Sequence, residues 1–122
     1  MKKLPVTELR IMKFIWSQNM DHIASKDIAD YMLKEFLWLK GTTGKVLSRL
    51  VDKGFLKAKK QGRNTIYEVL ISNNEYIKFE TKEFLELVHD KSIFSFISAL
   101  GEEEDISEKE LKDLEAWIKD RK

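Results

Sequence analysis

The chain contains no cysteine. That absence removes a disulfide framework, thiolate catalysis and cysteine-ligated zinc or copper together. Histidine is scarce too. His22 and His89 stand far apart and outside any metal-ligand spacing, so both are expected at the surface or its boundary, and no metal or cofactor is expected. No apolar run approaches the roughly 18 residues of a membrane span, and "MKKLPVTELR" lacks a signal-peptide core. A soluble, cytoplasmic protein without a membrane partner is the expectation.

What is present is a chain of 122 residues, 43% of them apolar. This suits one domain, or a small domain with an appendage, and rules out wholesale disorder. At this size the surface is large relative to the core, which favours a core shared between copies. The net charge of +1 hides a segregation. Residues 1–71 hold 14 Lys/Arg against 7 Asp/Glu, and residues 72–122 hold 8 against 14. Within 40–63 eight basic residues face Asp52 alone. A basic module joined to an acidic one points to a polyanionic partner.

The periodicity predicts three helices and a hairpin, then more helices. Thr7 is expected to cap a first helix whose Ile11, Met12, Ile15 and Trp16 share a face. After the polar loop "SQNMDH", Ser25 or Asp27 caps a second helix with Ile28, Tyr31, Met32 and Leu33 inward. The third, Thr42–Lys53, carries Val46, Leu47, Leu50 and Val51 as its stripe and Lys45, Arg49 and Lys53 along one ridge. Gly54 is its left-handed stop. Strands follow at Phe55–Lys59 and Thr65–Leu70 around the turn "KQGRN". Ser72 and Glu75 form a capping box opening a helix to Val88 or His89, with Tyr76, Phe79, Phe84, Leu87 and Val88 at helical spacing. Ile93, Phe94, Ile97 and Leu100 make a further apolar helix, broken by Gly101 and the acidic "EEED". A second capping box, Ser107 to Glu110, leads Leu111, Leu114, Trp117 and Ile118 into the last one. These tail helices are too apolar and too short to close a core alone. A second copy is the economical cover, with folding back on the N-terminal module as the alternative.

The fold class expected is therefore mainly α with a small β-hairpin wing. It comprises a winged helix-turn-helix module over 1–71 and a helical dimerisation module over 72–122. The stretch "LKGTTGKVLSRL" (39–50) also invites a phosphate-loop reading, but Gly41 and Gly44 are three apart instead of five, and Val46 replaces the magnesium-binding hydroxyl. No strand context or other catalytic constellation supports an enzyme. As the second helix of a helix-turn-helix pair, the stretch instead offers Lys40, Thr42, Thr43, Lys45 and Arg49 to DNA. The hairpin adds Lys57, Lys59, Lys60, Arg63 and Asn64 against the backbone or in a minor groove. A winged-helix module for protein–protein contact, with this basic surface merely solvated, is the competing class.

The segments "ELRIMKFIW", Trp38, Thr42, "LSRLVDKGFL" and "KKQGRNTIYEVLIS" resemble the BlaI/MecI/CopY family of bacterial repressors, closely from Thr7 to Tyr76 and more loosely to the C-terminus. The resemblance implies a homodimer, a palindromic double-stranded operator, and possible control by an upstream sensor or protease. It also marks departures. The family's W-S-P-K-T-[IV]-R-T-L-L-x-R-L pattern keeps Trp38, Thr42, Leu47, Arg49 and Leu50 here, while Lys40, Gly41, Thr43, Gly44 and Lys45 differ. The Asn-Phe bond cleaved in β-lactam-responsive members aligns with Ala99-Leu100, where the motif is unmatched, and the cysteine motif of copper-type members is missing.

Overall fold

A computed structural model of the chain describes residues 1–102 and 106–121. Its elements run α1 (Val6–Ser17), β1 (His22–Ala24), α2 (Ser25–Phe36), α3 (Lys40–Asp52), β2 (Leu56–Gln61), β3 (Asn64–Val69), α4 (Asn73–Val88), α5 (Ile93–Glu102) and α6 (Glu108–Asp120). They divide into two compact units, Met1–Glu80 and Thr81–Lys122. The division falls inside α4, later than the expected break after residue 71.

In the first unit each helix buries one stripe. α1 turns Glu8, Ile11, Met12 and Ile15 inward, at the i, i+3, i+4, i+7 spacing of a helical face. Its start is fixed by Pro5 at the N-cap position, and Thr7 lies inside the helix without capping it. α2 follows directly from β1, with Ala24 at its N-cap, so neither Ser25 nor Asp27 caps it. Its inward face is centred on Ile28 and Met32. Leu33, expected inside, is 51% exposed, and Tyr31 is half-buried. The helix ends where Leu37 turns left-handed (φ 58°), which carries the Leu37 and Trp38 N–H groups back to the carbonyls of Leu33 and Met32.

The sheet has the order β1-β3-β2, antiparallel throughout. The expected hairpin is β2 and β3, whose register closes at Gln61↔Asn64 around Gly62-Arg63. Gly62 takes φ 62° while Arg63 stays at negative φ, the demand of a two-residue II′-type turn for glycine in first place. β1 is an addition. Three residues, His22–Ala24, pair with Ile66–Glu68 inside what the sequence suggested was loop. Such a short strand has no alternation of its own, and its partner lies far along the chain.

The core of the unit gathers Leu4, Ile23, Phe55, Leu56 and Tyr76 with the helical stripes. Tyr76, expected in the dimerisation surface, is 2% exposed here. Its hydroxyl accepts the Leu4 N–H at 2.7 Å, and its ring meets Phe55 edge-on at 5.6 Å. Phe79 packs against the same core, and Trp16 Nε1 donates to the Ile71 carbonyl at 3.0 Å. The start of α4 is thus part of the first unit. The capping box at that start forms in both directions: Ser72 Oγ accepts from the Glu75 N–H, and Glu75 Oε1 from the Ser72 N–H.

In the second unit, Asp90 and Lys91 turn the chain in left-handed conformation, and Ser92 Oγ caps α5 by accepting the Ser95 N–H. Phe84, His89 and Phe96 meet edge-to-face, with His89 Nδ1 2.9 Å from Ser95 Oγ. Gly101 lies within α5 and does not break it. Glu103, Glu104 and Asp105, most of the expected acidic break, lie outside the described residues. Ser107 caps α6 through the Glu110 N–H as expected.

The first unit also holds a charge pair whose acid is buried and whose lysine is partly exposed. Glu8 is 2% exposed, and Lys53 Nζ reaches its Oε1. Removing one partner of such a pair strands the other charge, at a cost of about 3 kcal/mol. Lys53→Met should therefore lower the unfolding free energy by about that much in urea titrations. A loss under about 1 kcal/mol would mean that the pair behaves as a surface bridge.

Candidate nucleic-acid interface

The face that α3 shows to solvent follows from the face it buries. Thr43, Val46, Leu47 and Leu50 lie in the core. At 100° per residue this leaves Thr42, Lys45 and Arg49 on the outside, all exposed, with Lys40 exposed at the first position of the helix. Thr43 is corrected by the same geometry. It was expected to touch DNA, but it is 1% exposed and its Oγ1 is buried without a hydrogen-bond partner. A helical stripe three residues ahead of Val46 would have found it; its polar side chain argued the other way. Lys53, expected on the ridge with Lys45 and Arg49, instead turns to Glu8.

The N-terminus of α3 is open. Leu39 stands at the N-cap and supplies no side-chain acceptor, so the first-turn N–H groups of the helix lack the cap that serine or aspartate would give. Gly41 and Gly44 sit in these opening turns, and a Cβ on either would meet nothing within 4 Å. The glycines therefore leave α3 bare on its outer side without being required by any close approach inside the protein.

The wing sorts its cations by strand alternation. Tyr67 and Thr65 point toward α2 and α3, and Lys60, the cross-strand partner of Thr65, shares that face. Lys57 and Lys59 lie on the opposite face with His22 and Glu68. There Lys59 Nζ is 2.8 Å from Glu68 Oε2, and His22 Nε2 is 3.8 Å from the same oxygen. The Lys59 hydrogen bond holds the Glu68 carboxyl below its ordinary value, against the opposing effect of desolvation, with the charges of Lys59, His22 and Lys57 adding to the lowering. Arg63 and Asn64 occupy the exposed tip. The structure thus brings Lys40, Thr42, Lys45, Arg49, Lys60, Arg63 and Asn64 to the exposed surface of one unit as separable groups, and engages Lys59 with an acid. Ser25 and Lys26 at the start of α2, which the sequence did not single out, lie beside Arg63, Asn64 and Thr65 across a groove.

The residues expected for dimerisation divide. Tyr76 and Phe79 belong to the first unit's core. Phe84, Leu87, Val88, Ile93, Phe94, Leu111 and Ile118 are exposed, from 38% at Phe84 to 82% at Phe94. Ile97, Leu100 and Leu114 are half-buried, and neither α5 nor α6 has a buried residue. Ala99 and Leu100 are joined by a helical bond inside α5. Among the described residues no acid–histidine cluster could hold a metal, and no helix is long and apolar enough to cross a membrane.

Comparison with known proteins agrees with this geometry. The penicillinase repressor family model matches residues 5–120. The chain is 28% identical to the penicillinase repressor of Bacillus licheniformis, over 100% of its own length and 96% of that protein. It is 27% identical to the methicillin resistance regulatory protein MecI of Staphylococcus aureus (strain N315), over 88% and 85%. Among solved structures, it is similar to the solution structure of the DNA-binding domain of the repressor BlaI, with a TM-score of 0.54 and 32% identity over 62% of this chain and 94% of that one. It is also similar to the monomeric form of Bacillus licheniformis BlaI in complex with the blaP half-operator, with a TM-score of 0.52 and 29% identity over 62% and 89%.

The Glu68 pairing yields a pH expectation. Its folded-state value is lowered, so the pair's contribution to the wing is present above the ordinary carboxylate value of 4.5 and is lost as pH falls through the lowered one. Carboxyl-carbon NMR titration should find Glu68 below 4.5 in the native chain and nearer to it in Lys59→Met. Identical titrations in the two proteins would show that Lys59 is free for other partners.

Proposed function

The chain belongs to the penicillinase repressor family, and we propose that it works as a dimeric repressor on a palindromic operator. One observation carries the reading: α3 presents Thr42, Lys45 and Arg49 outward from an uncapped N-terminus, beside a wing tipped by Lys60, Arg63 and Asn64. An open helix start with cations on its outer face suits phosphates and base edges in a major groove. The wing cations suit the flanking backbone. BlaI itself, similar in fold and sequence, forms a complex with the blaP half-operator. Thr43 takes no part in this contact, and Lys59 takes less part than its neighbours because Glu68 already engages it.

The second unit supplies the second copy. Side chains such as Leu87 on α4, Phe94 on α5 and Trp117 on α6 are more than half exposed, which a soluble monomer seldom sustains over three consecutive helices. Two identical faces of this kind close on each other around a two-fold axis, matching the symmetry of a palindrome. Release from the operator by proteolysis at Ala99-Leu100 is not favoured. The bond is helical, and a protease would act only after local unwinding.

Two experiments test the reading. A duplex selected by the protein from a random pool should bind with a steep negative salt dependence. Reversing Lys60 and Arg63 to glutamate should weaken it at least about tenfold and flatten the salt slope by about 2, whereas Lys59→Met should cost under about threefold. Equal effects at all three positions would reduce the wing to diffuse charge, and failure to select any sequence would leave the protein-contact alternative. In sedimentation, the exposed pair Leu87→Asp and Phe94→Asp should turn a dimer into a folded monomer. A native chain already monomeric at about 10 μM would end the dimer proposal.

A further inference from the structure

Behind the outward face of α3 the first unit holds a groove of about 610 Å³, within the range of small-molecule sites. Its walls are apolar: Ala29 and Leu33 from α2, Leu47 from α3 and the Tyr67 ring from β3. Gly44 adds no side chain, and a Cβ there would enter open space. The rim is cationic, with Lys26, Lys40 and Arg63 set against Asp30. Thr43 lines the wall between them, 99 parts in 100 buried, with its hydroxyl unpartnered. A buried hydroxyl without a partner is a standing cost to the fold. In a helix, threonine exchanges hydroxyl and methyl by rotation between two populated rotamers. A ligand atom in the groove gives that hydroxyl a partner after such a rotation. The Tyr67 phenol, which desolvation raises above its ordinary value, is a neutral group among the lining residues.

We infer that this groove binds a small organic carboxylate with an apolar body, and that its occupant competes with DNA for Lys40 and Arg63. The apolar walls take the body, the rim cations take the carboxylate, and Thr43 fixes its orientation. A duplex cannot fill the same space, because its phosphates stay outside a wall built of Leu33, Leu47 and Tyr67. The two ligands share cations without sharing a seat. Competition rests on the operator-binding reading; the site itself does not. Because linkage is reciprocal, DNA weakens the carboxylate by the same factor by which the carboxylate weakens DNA.

The test uses the full chain, with 4-phenylbutyrate as probe and its neutral amide as control. Amide signals of Thr43, Gly44 and Thr65 should shift saturably with the acid and at least about tenfold more weakly with the amide. Arg63→Gln and Thr43→Val should weaken the acid while leaving the melting temperature unchanged or, for Thr43→Val, raised. Gly44→Leu, whose side chain grows into the groove, should abolish binding. At constant ionic strength the acid should raise the dissociation constant for the selected duplex in the native chain and leave it unchanged in Gly44→Leu. Equal binding of acid and amide, shifts elsewhere in the chain, or no saturation by about 10 mM would overturn the site. Binding without any effect on DNA would overturn the competition. A chain that bound the probe and no DNA would uphold the site and overturn the operator reading instead.

Discussion

The seating of one helical stripe governs the rest of the N-terminal unit. With Thr43, Val46, Leu47 and Leu50 in the core, the rotation of α3 about its axis is fixed, and so is the identity of every group it shows to solvent. A slip of one residue would turn each position by 100°, burying Lys45 or Thr42 and exposing Leu47. Leu50, Leu47 and Val46 are each at most 4% exposed, and burying three aliphatic side chains contributes on the order of 5 kcal/mol. No alternative set on this helix matches that. The outward cations are therefore positioned by the hydrophobic effect acting on the opposite side, and the wing, hydrogen-bonded through β3 to β1 and β2, is held against the same core by Leu56 and Phe55.

How much of this was legible in the chain follows the range of the interactions. Capping boxes act over three residues, so Ser72 with Glu75 and Ser107 with Glu110 located two helix starts. The winged helix-turn-helix outline came from local periodicity and from the change to strand composition after Gly54. What failed was non-local or double-natured. β1 exists only because β3 pairs with it. Tyr76 has the spacing of a dimer contact, but its position is decided by Leu4 and Phe55, partners far from it along the chain. Lys59 differs from Lys60 only through hairpin register, which decides which of them meets Glu68. Thr43, expected at the DNA, and Glu8 both stand in apolar stripes despite their polarity, and helical spacing is the better guide to their burial.

The segregation of charge gains a local meaning from the structure. The basic excess of residues 40–63 is not one patch. Lys53 is spent on Glu8 inside the fold, Lys59 and Lys57 face Glu68 and His22 on the outer sheet surface, and Lys40, Lys45, Arg49, Lys60 and Arg63 remain exposed around α3 and the wing. Counting cations therefore overstates the number free to meet an anion. The departures from the family pattern at Lys40, Gly41, Thr43 and Gly44 fall on the same turns of α3. The two glycines leave the first turns without side chains at their positions, and Thr43 places a hydroxyl in the core.

The Glu8–Lys53 pair and the surface cations respond to their medium on different scales. Mobile ions screen charges they can surround, and at molar salt the screening length shrinks to about 3 Å. That suffices to silence Lys45 or Arg63, which stand in water. It does little to an acid that is 2% exposed and in direct contact with its lysine. Ionic strength thus separates the two electrostatic tasks of one short segment of chain: it strips away attraction for a polyanion while the pair that ties α1 to the end of α3 keeps its strength.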